Sequence, residues 1–247
     1  MPETHIPQKT IRRQSWTGLF VLLFFFGCCY AFFQWIQHSE KINGTPKPLR
    51  KALEQNEQIF SATLQQQRVK TYPKAYASSR VRSNGYVGLS NANDTSNWVL
   101  NVVRHPGDTL HVTLDEIRRL PKTEIVFDFK CIEGWSQISY WGGVKFSDFV
   151  AHYHLEESAR LAYTGLETPD GAYYVGIDQK SMLHPQTLLC YESNGKPLPL
   201  SQGAPLRLII PVKYGVKHLK RIGSIFFSNS KPRDYWYERG YDYFCGL

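Results

Sequence analysis

The stretch DFKCIEGWSQISYWGGVKFSDFV, Asp128 to Val150, organises the rest of the chain. Leading into it, Ile125, Phe127 and Phe129 alternate with Val126, Asp128 and Lys130, the period-two pattern of a strand with one buried face. Cys131 closes that strand on the phenylalanine side, just before the chain turns at Gly134. Its thiol is therefore expected where a buried strand opens into a loop. Taken alone, a cysteine there is more often inert packing than a ligand, because free Cys is among the most buried residue types.

The 247 residues suffice for one sizeable soluble domain and an anchor. The net charge of +8 is unevenly spread: residues 1 to 75 hold ten Lys/Arg against four Asp/Glu, and the remainder nineteen against seventeen. The excess thus belongs to the membrane-proximal part, where anionic lipid is the natural partner. A nucleic-acid protein would carry its basic stripe on the folded domain, so no nucleic-acid partner is expected. None of the five cysteines forms a C-x-x-C pair, which removes zinc ribbons, thioredoxin-type motifs and covalent c-type haem. Cys190 and Cys245 are open to either reading, a disulfide or two buried thiols.

Trp16 to Ile36, WTGLFVLLFFFGCCYAFFQWI, contains no formal charge. As a helix it reaches roughly 31 Å, enough to cross a bilayer, with Trp16 and Trp35 at the two interfaces. The run is long for a signal peptide and lacks a small-x-small cleavage site. Lys9, Arg12 and Arg13 precede it and favour a cytoplasmic N-terminus, while Arg12-Arg13 loosely matches a twin-arginine export signal. The expected organisation is a tail at 1–15, a transmembrane helix at 16–36, a stalk at 37–75 and one domain at 76–247. Within the stalk, Leu49, Leu53, Phe60 and Leu64 recur on one face of a predicted helix.

From Tyr76 the chain becomes short alternating segments punctuated by Gly, Pro and Asn, which predicts an α+β domain. Trp98 to Val103 reads as a strand, and Leu110 to Thr113 as a strand entering a short helix that Pro121 stops. Thr113 and Glu116 are spaced as a capping box. A helix is expected from Lys145 to Tyr153. The second informative stretch is QGAPLRLIIPVKYGVKHLKRIGSI, Gln202 to Ile225. There Leu206, Leu208 and Ile210 alternate with Arg207 and Ile209, so a strand would send Arg207 to the face opposite the leucines. Arg and Lys on rigid elements hold phosphate, Arg by bidentate bonds and Lys as a point charge, although a solvated basic face is the commoner reading of such a run. His152 and His154 are expected at the surface. No G-x-S-x-G, P-loop or Rossmann fingerprint occurs.

Taken together, C-x-E-G-W-S from Cys131, the Trp141 to Val144 step, G-A-P-L-R to Arg207, P-x-K-Y-G and the closing Tyr235 to Tyr241 segment resemble the sulfite-oxidase-fold molybdopterin oxidoreductases. The ordered blocks run from about Asn84 to Tyr241. The resemblance implies an α+β fold of mixed sheets with short helices, and a molybdenum-molybdopterin cofactor. It implies Cys131 as the protein's sulfur ligand to molybdenum, consistent with a soft thiolate in a sulfur-rich site. Cofactor-binding roles carry over to Gln202, Arg207, His218 and Lys220, and by looser spacing to Asn84 and Tyr86. Relatives often have Trp where Arg221 stands.

The expected function is that of a single-pass, inner-membrane enzyme with its catalytic domain in the periplasm. It would transfer an oxygen atom to or from a small sulfite- or sulfoxide-like substrate. Lacking a haem motif, it would exchange electrons with a membrane cytochrome or a soluble carrier. The alternative is a non-catalytic, membrane-tethered subunit of the same fold within a larger assembly.

Overall fold

The computed structural model of the protein describes residues 7–63, 68–89 and 97–247. Two compact units divide the chain, Met1–Leu53 and Glu54–Leu247. In the first, helix α1 spans Gln8–His38 with no buried residue, and its apolar length and composition suit a membrane span. A hairpin that sequence periodicity does not announce follows, β1 (Lys41–Ile42) and β2 (Thr45–Pro46). Asn43 and Gly44 make its turn, both with positive φ, as a two-residue hairpin requires. Arg50 donates to the carbonyls of Ile42 and Asn43 and to the Thr45 hydroxyl. Helix α2, Lys47–Thr63, carries Leu49, Leu53 and Phe60; Leu64, the last residue of the predicted face, lies outside the described residues.

The second unit builds from β3 (Leu100–His105), β4 (Asp108–Val112), helix α3 (Leu114–Arg118), β5 (Lys122–Lys130), β6 (Ser136–Lys145) and helix α4 (Phe146–His152). It continues with β7 (Tyr163–Glu167), β8 (Tyr174–Asp178), helix α5 (Gln179–Met182), β9 (Leu188–Ser193), β10 (Lys196–Pro197), β11 (Arg207–Ile209) and β12 (Ser224–Ser228). One sheet has the order β10-β9-β6-β5 with β11 also on β9, and the other β4-β3-β12-β7-β8. Among the described strands, only β3 and β12 pair in parallel. Both ends of the α3 capping box form: the Thr113 hydroxyl accepts from the Glu116 N–H, and the Glu116 carboxylate accepts from the Thr113 N–H.

The main core lies between the sheets. Val144, Leu189, Tyr191 and Leu208 of one meet Leu100, Val102, Leu166, Val175 and Ile225 of the other, with Phe146 and Phe149 of α4 filling one end. The opposite face of the β5-β6-β9-β11 sheet carries a smaller cluster of Ile125, Phe127, Trp141, Leu188, Cys190 and Ile209. Leu206, Leu208 and Ile210 join the main core, so Arg207 faces the second cluster, as the alternation predicted. On β5, Val126 is buried along with Ile125 and Phe127. A flanking segment covers that edge: Thr71 bridges Phe127, and the Tyr72 N–H donates to the Val126 carbonyl. Through these contacts residues 71 and 72 pack on β5.

Beneath the aromatic segment near the C-terminus lies a buried ion pair. Lys217 Nζ is 2.5 Å from Asp234 Oδ2, and each side chain is 2% exposed. The lysine also donates to the Gly176 carbonyl, while the aspartate accepts the N–H groups of Gly176 and Tyr237. These bonds seat the turn Tyr237–Arg239 and, with it, Trp236. Removing one member of such a pair leaves a buried charge uncompensated, which costs about 3–5 kcal/mol. Asp234→Ala should therefore lower the stability of the detergent-solubilised protein by roughly that amount in a denaturant titration. Disrupting the exposed Arg104–Asp108 pair by Asp108→Ala should cost no more than about 1 kcal/mol.

Candidate functional site

Strands β5 and β6 are joined by the five residues 131–135, and the closing loop is shaped by its own backbone. The Cys131 N–H donates to the Trp135 carbonyl at 2.9 Å, and the Gly134 N–H to the Cys131 carbonyl at 3.1 Å. Gly134 sits at φ +87°, in the region that favours glycine. This turn leaves Cys131 8% exposed, on the wall of a cavity of about 310 Å³. The same cavity is lined by Asn84, Gln202, Arg207, His218 and Lys220. Six of the seven predicted site residues, spread over some 136 positions of chain, thus converge.

Arg207 lies at the base, 2% exposed. Its Nη1 donates to Gln202 Oε1 at 2.7 Å and to the Gln202 carbonyl at 3.2 Å, and the guanidinium stacks 4.5 Å from the Trp141 ring centre. Among the described residues no carboxylate pairs with it, and its buried Nε has no acceptor. Burial depresses its pKa to about 10. Lys220 is the second cation. Its Nζ donates to the Ser83 hydroxyl and to the carbonyls of Asn84 and Gly85 at 2.8–3.0 Å. Burial first, then the positive charge of Arg207, lowers its pKa to about 7. A buried guanidinium and a half-buried ammonium that repel one another, neither paired with a carboxylate among the described residues, favour an anion beside them.

Gly203 brings these parts together. At φ +94° it packs so closely that a Cβ would lie 2.6 Å from Lys220 Cβ and 2.7 Å from the Arg221 nitrogen. Nothing in the local sequence singles out this contact. His218 lines the cavity, with both ring nitrogens engaged by the protein. Its Nδ1 accepts the Ile210 N–H and its Nε2 meets the Lys213 carbonyl at 3.1 Å, so neither nitrogen is free for a cofactor. Burial and Arg207 push its pKa down to about 3, and the neutral ring packs against Phe129 with centroids 4.6 Å apart. Tyr86, at 76% exposure, is not among the cavity-lining residues.

Other wall residues are not predicted from the sequence. The Asn84 side chain and the Trp135 indole hold the Glu133 carboxyl below its usual range, with Trp135 Nε1 at 3.3 Å. Arg82 stacks 4.4 Å from the Trp135 ring centre. Tyr173 lines the cavity and donates its hydroxyl to the Val216 carbonyl at 2.6 Å, and burial raises its pKa. Glu133 belongs to the motif that begins at Cys131, but nothing local marks which motif positions face a cavity. Cys190 and Cys245 are both free.

One thiol, one buried guanidinium with an orphaned Nε and one unneutralised lysine on a single cavity suit an anionic prosthetic group that binds metal through sulfur. The family model for the oxidoreductase molybdopterin binding domain matches residues 87–236, and the chain belongs to that family. Its class is therefore that of the molybdenum-dependent oxidoreductases, its cofactor a molybdenum-molybdopterin and its α+β fold of sulfite-oxidase type, as the resemblance implied.

The Azospira oryzae protein YedZ1, whose name provisionally makes it a protein-methionine-sulfoxide reductase subunit, is 36% identical over 177 residues, 71% of this chain and 66% of its own. The protein-methionine-sulfoxide reductase catalytic subunit MsrP of Xanthomonas axonopodis is 33% identical over 140 residues, 51% and 44% of the two chains. Rat mitochondrial sulfite oxidase is 29% identical over 175 residues, 60% and 32% of the two. The chain thus spans between about a third and two thirds of the length of these relatives.

The depressed pKa of Lys220 makes a measurable pH signature in the cofactor-free protein. Below about pH 7 the lysine is protonated whether folded or unfolded. Between there and its ordinary value of 10.5 only the unfolded chain keeps the proton, so stability rises with pH. Denaturant midpoints from pH 6 to 9 should climb more steeply in the wild type than in Lys220→Met. The difference is bounded by about 1.4 kcal/mol per pH unit for one proton; parallel curves would contradict the assignment.

Proposed function

We propose that this chain is a membrane-anchored oxygen-atom transferase that takes a small sulfoxide or related sulfur oxyanion as substrate. The observation that carries the reading is the convergence of Cys131, Arg207 and Lys220 on one cavity without a carboxylate on either cation among the described residues. Cys131 would be the metal's protein ligand, and Arg207 and Lys220 would hold the anionic part of the pterin, with Gln202 steadying Arg207 through its Oε1. When bound, the cofactor supplies the two-electron, oxygen-transfer chemistry. The chain supplies orientation, charge and a dry wall.

Of the two substrate kinds, a neutral sulfoxide suits that wall better. Phe129, Trp135, Trp236 and Tyr241 are among its aromatic members, and Glu133, held ionised by its partners, would repel a second negative charge. The name of MsrP, a protein-methionine-sulfoxide reductase, agrees in kind. Helix α1, with Lys9, Arg12 and Arg13 near its start, supports an anchor in the inner membrane with residues 76–247 on the periplasmic side. The absence of a C-x-x-C pair in the chain supports electron exchange with a separate cytochrome or carrier.

Protein purified from a molybdenum-replete host should contain about one molybdenum and one pterin per chain; a folded domain with neither would favour the non-catalytic alternative. Cys131→Ser should keep the pterin yet lose at least about 100-fold in dye-linked sulfoxide reduction, because an alcohol replaces a thiolate ligand. Lys220→Ala should instead lower pterin per protein. A kcat/KM for sulfite above that for methionine sulfoxide would overturn the substrate choice.

A further inference from the structure

Residues 78–85, of which Val81, Arg82, Asn84 and Gly85 line the cavity, belong to no helix or strand. A segment of that kind must satisfy its backbone polar groups by other means. Here side chains do it: Lys220 holds the carbonyls of Asn84 and Gly85, and amides hold the stretch before them. Asn194 Nδ2 donates to the carbonyls of Ser78 and Ser79 at 3.0 and 3.1 Å. Gln137, on β6, takes both sides of the next stretch: its Nε2 donates to the Arg80 carbonyl at 3.1 Å, and its Oε1 accepts the Arg82 N–H at 2.8 Å. Gln202 Nε2 donates to the Val81 carbonyl at 3.0 Å while its Oε1 holds Arg207. Among the described residues, the one backbone–backbone bond of this run goes from the Ser78 N–H to the Ile138 carbonyl.

A glutamine that donates to residue i and accepts from residue i+2 reproduces the bond pair a neighbouring strand would offer. It does so from a sheet strand, so the strap inherits the rigidity of β6. The guanidinium of Arg82 then stacks on Trp135, four residues beyond Cys131, and Asn84 meets Glu133. Asn194 is suited to its part by its turn. It has φ +52° and precedes Gly195 at φ +70°, and this two-residue connection between β9 and β10 aims the amide at the strap.

We propose that Gln137 and Asn194 are positioning residues: acting as a surrogate strand, they hold the strap 78–85 so that Arg82 and Asn84 form one wall of the cavity. The effect on turnover rests on the oxygen-transfer reading above; the effect on the strap does not. Arg80 and Arg82 are exposed, and trypsin cleaves after arginine only where the backbone can leave its bonds and enter the protease.

The test uses the full chain, cofactor-loaded and in detergent, with cleavage after Arg80 and Arg82 followed by mass spectrometry. Gln137→Met removes both strap bonds while keeping the side chain's length, and Asn194→Gly removes the amide while tolerating the left-handed backbone. Each should speed cleavage at these two bonds by about tenfold with other tryptic sites unchanged. Gln137→Glu, which keeps the acceptor for Arg82 but not the donor to Arg80, should fall between Gln137→Met and the wild type.

In dye-linked assays, Gln137→Met should raise KM for methionine sulfoxide several-fold with kcat nearly unchanged. Wild-type cleavage rates in both variants would overturn the proposal, as would a loss of kcat with KM unaltered. Faster strap cleavage in a protein that reduces no sulfoxide at all would leave the positioning role standing and sink the reaction assigned to the site.

Discussion

A positive charge buried without a negative one is the constraint on which the domain turns. The guanidinium of Arg207 sits inside the layer formed by Trp141, Phe127 and Ile209, where an ordinary protein would place an aliphatic side chain. Burying an unpaired charge is costly, and the chain offsets that cost only in part. Two bonds run to Gln202 and a longer one to the His218 carbonyl, the face of Trp141 lies alongside, and one nitrogen is left without an acceptor among the described residues. Such incomplete satisfaction makes sense when the missing partner arrives from outside. An anionic cofactor would complete the bonding and offset the burial and, after it, the repulsion from Arg207 that depress Lys220.

Much of the surrounding architecture can be understood as what keeps that charge where it is. Strand β11 is only three residues long, yet its register against β9 sets Arg207 opposite Cys190 and Leu208 opposite Leu189, so one strand serves the main core and the site from opposite faces. Gly203 lets the preceding loop lie against Lys220 and Arg221 with no side chain between them. Behind the cavity, two further buried lysines have acids of their own, Lys213 with Asp178 at 2.7 Å and Lys217 with Asp234. The contrast separates cations paired with an acid from those, among the described residues, that are not. Residue type and spacing do not mark which of Lys213, Lys217 and Lys220 has an acid beside it; of these cations the family resemblance singles out only Arg207 and Lys220.

Several features are legible in the chain's local patterns. The period-two alternation around Phe127 and Leu208 locates β5 and β11, the Thr113–Glu116 spacing announces the start of α3, and the uncharged run at Trp16 to Ile36 lies within α1. Local rules reach these features because the interactions concerned lie within a few residues of one another. The hairpin at Lys41 to Pro46 escapes them even though Asn43-Gly44 is a strong turn signal, since strands of two residues carry no periodicity. His218 lines the expected cavity, but that its ring nitrogens meet the Ile210 N–H and the Lys213 carbonyl depends on backbone groups that the sequence does not locate.

What the sequence by itself determined was the inventory: a thiol at a strand end, an arginine opposite a leucine face, and a motif order that resembles one family of oxidoreductases. Only the tertiary structure decided which members of that inventory share a cavity, which cations lack acids, and that a strap with no sheet of its own is held in place by amide side chains from β6 and the β9–β10 turn. The physical reason is range. Backbone preference and hydrophobic alternation act between near neighbours, whereas charge balance, desolvation and hydrogen-bond satisfaction are settled between residues more than a hundred positions apart, as Lys220 and the carbonyls of Asn84 and Gly85 are.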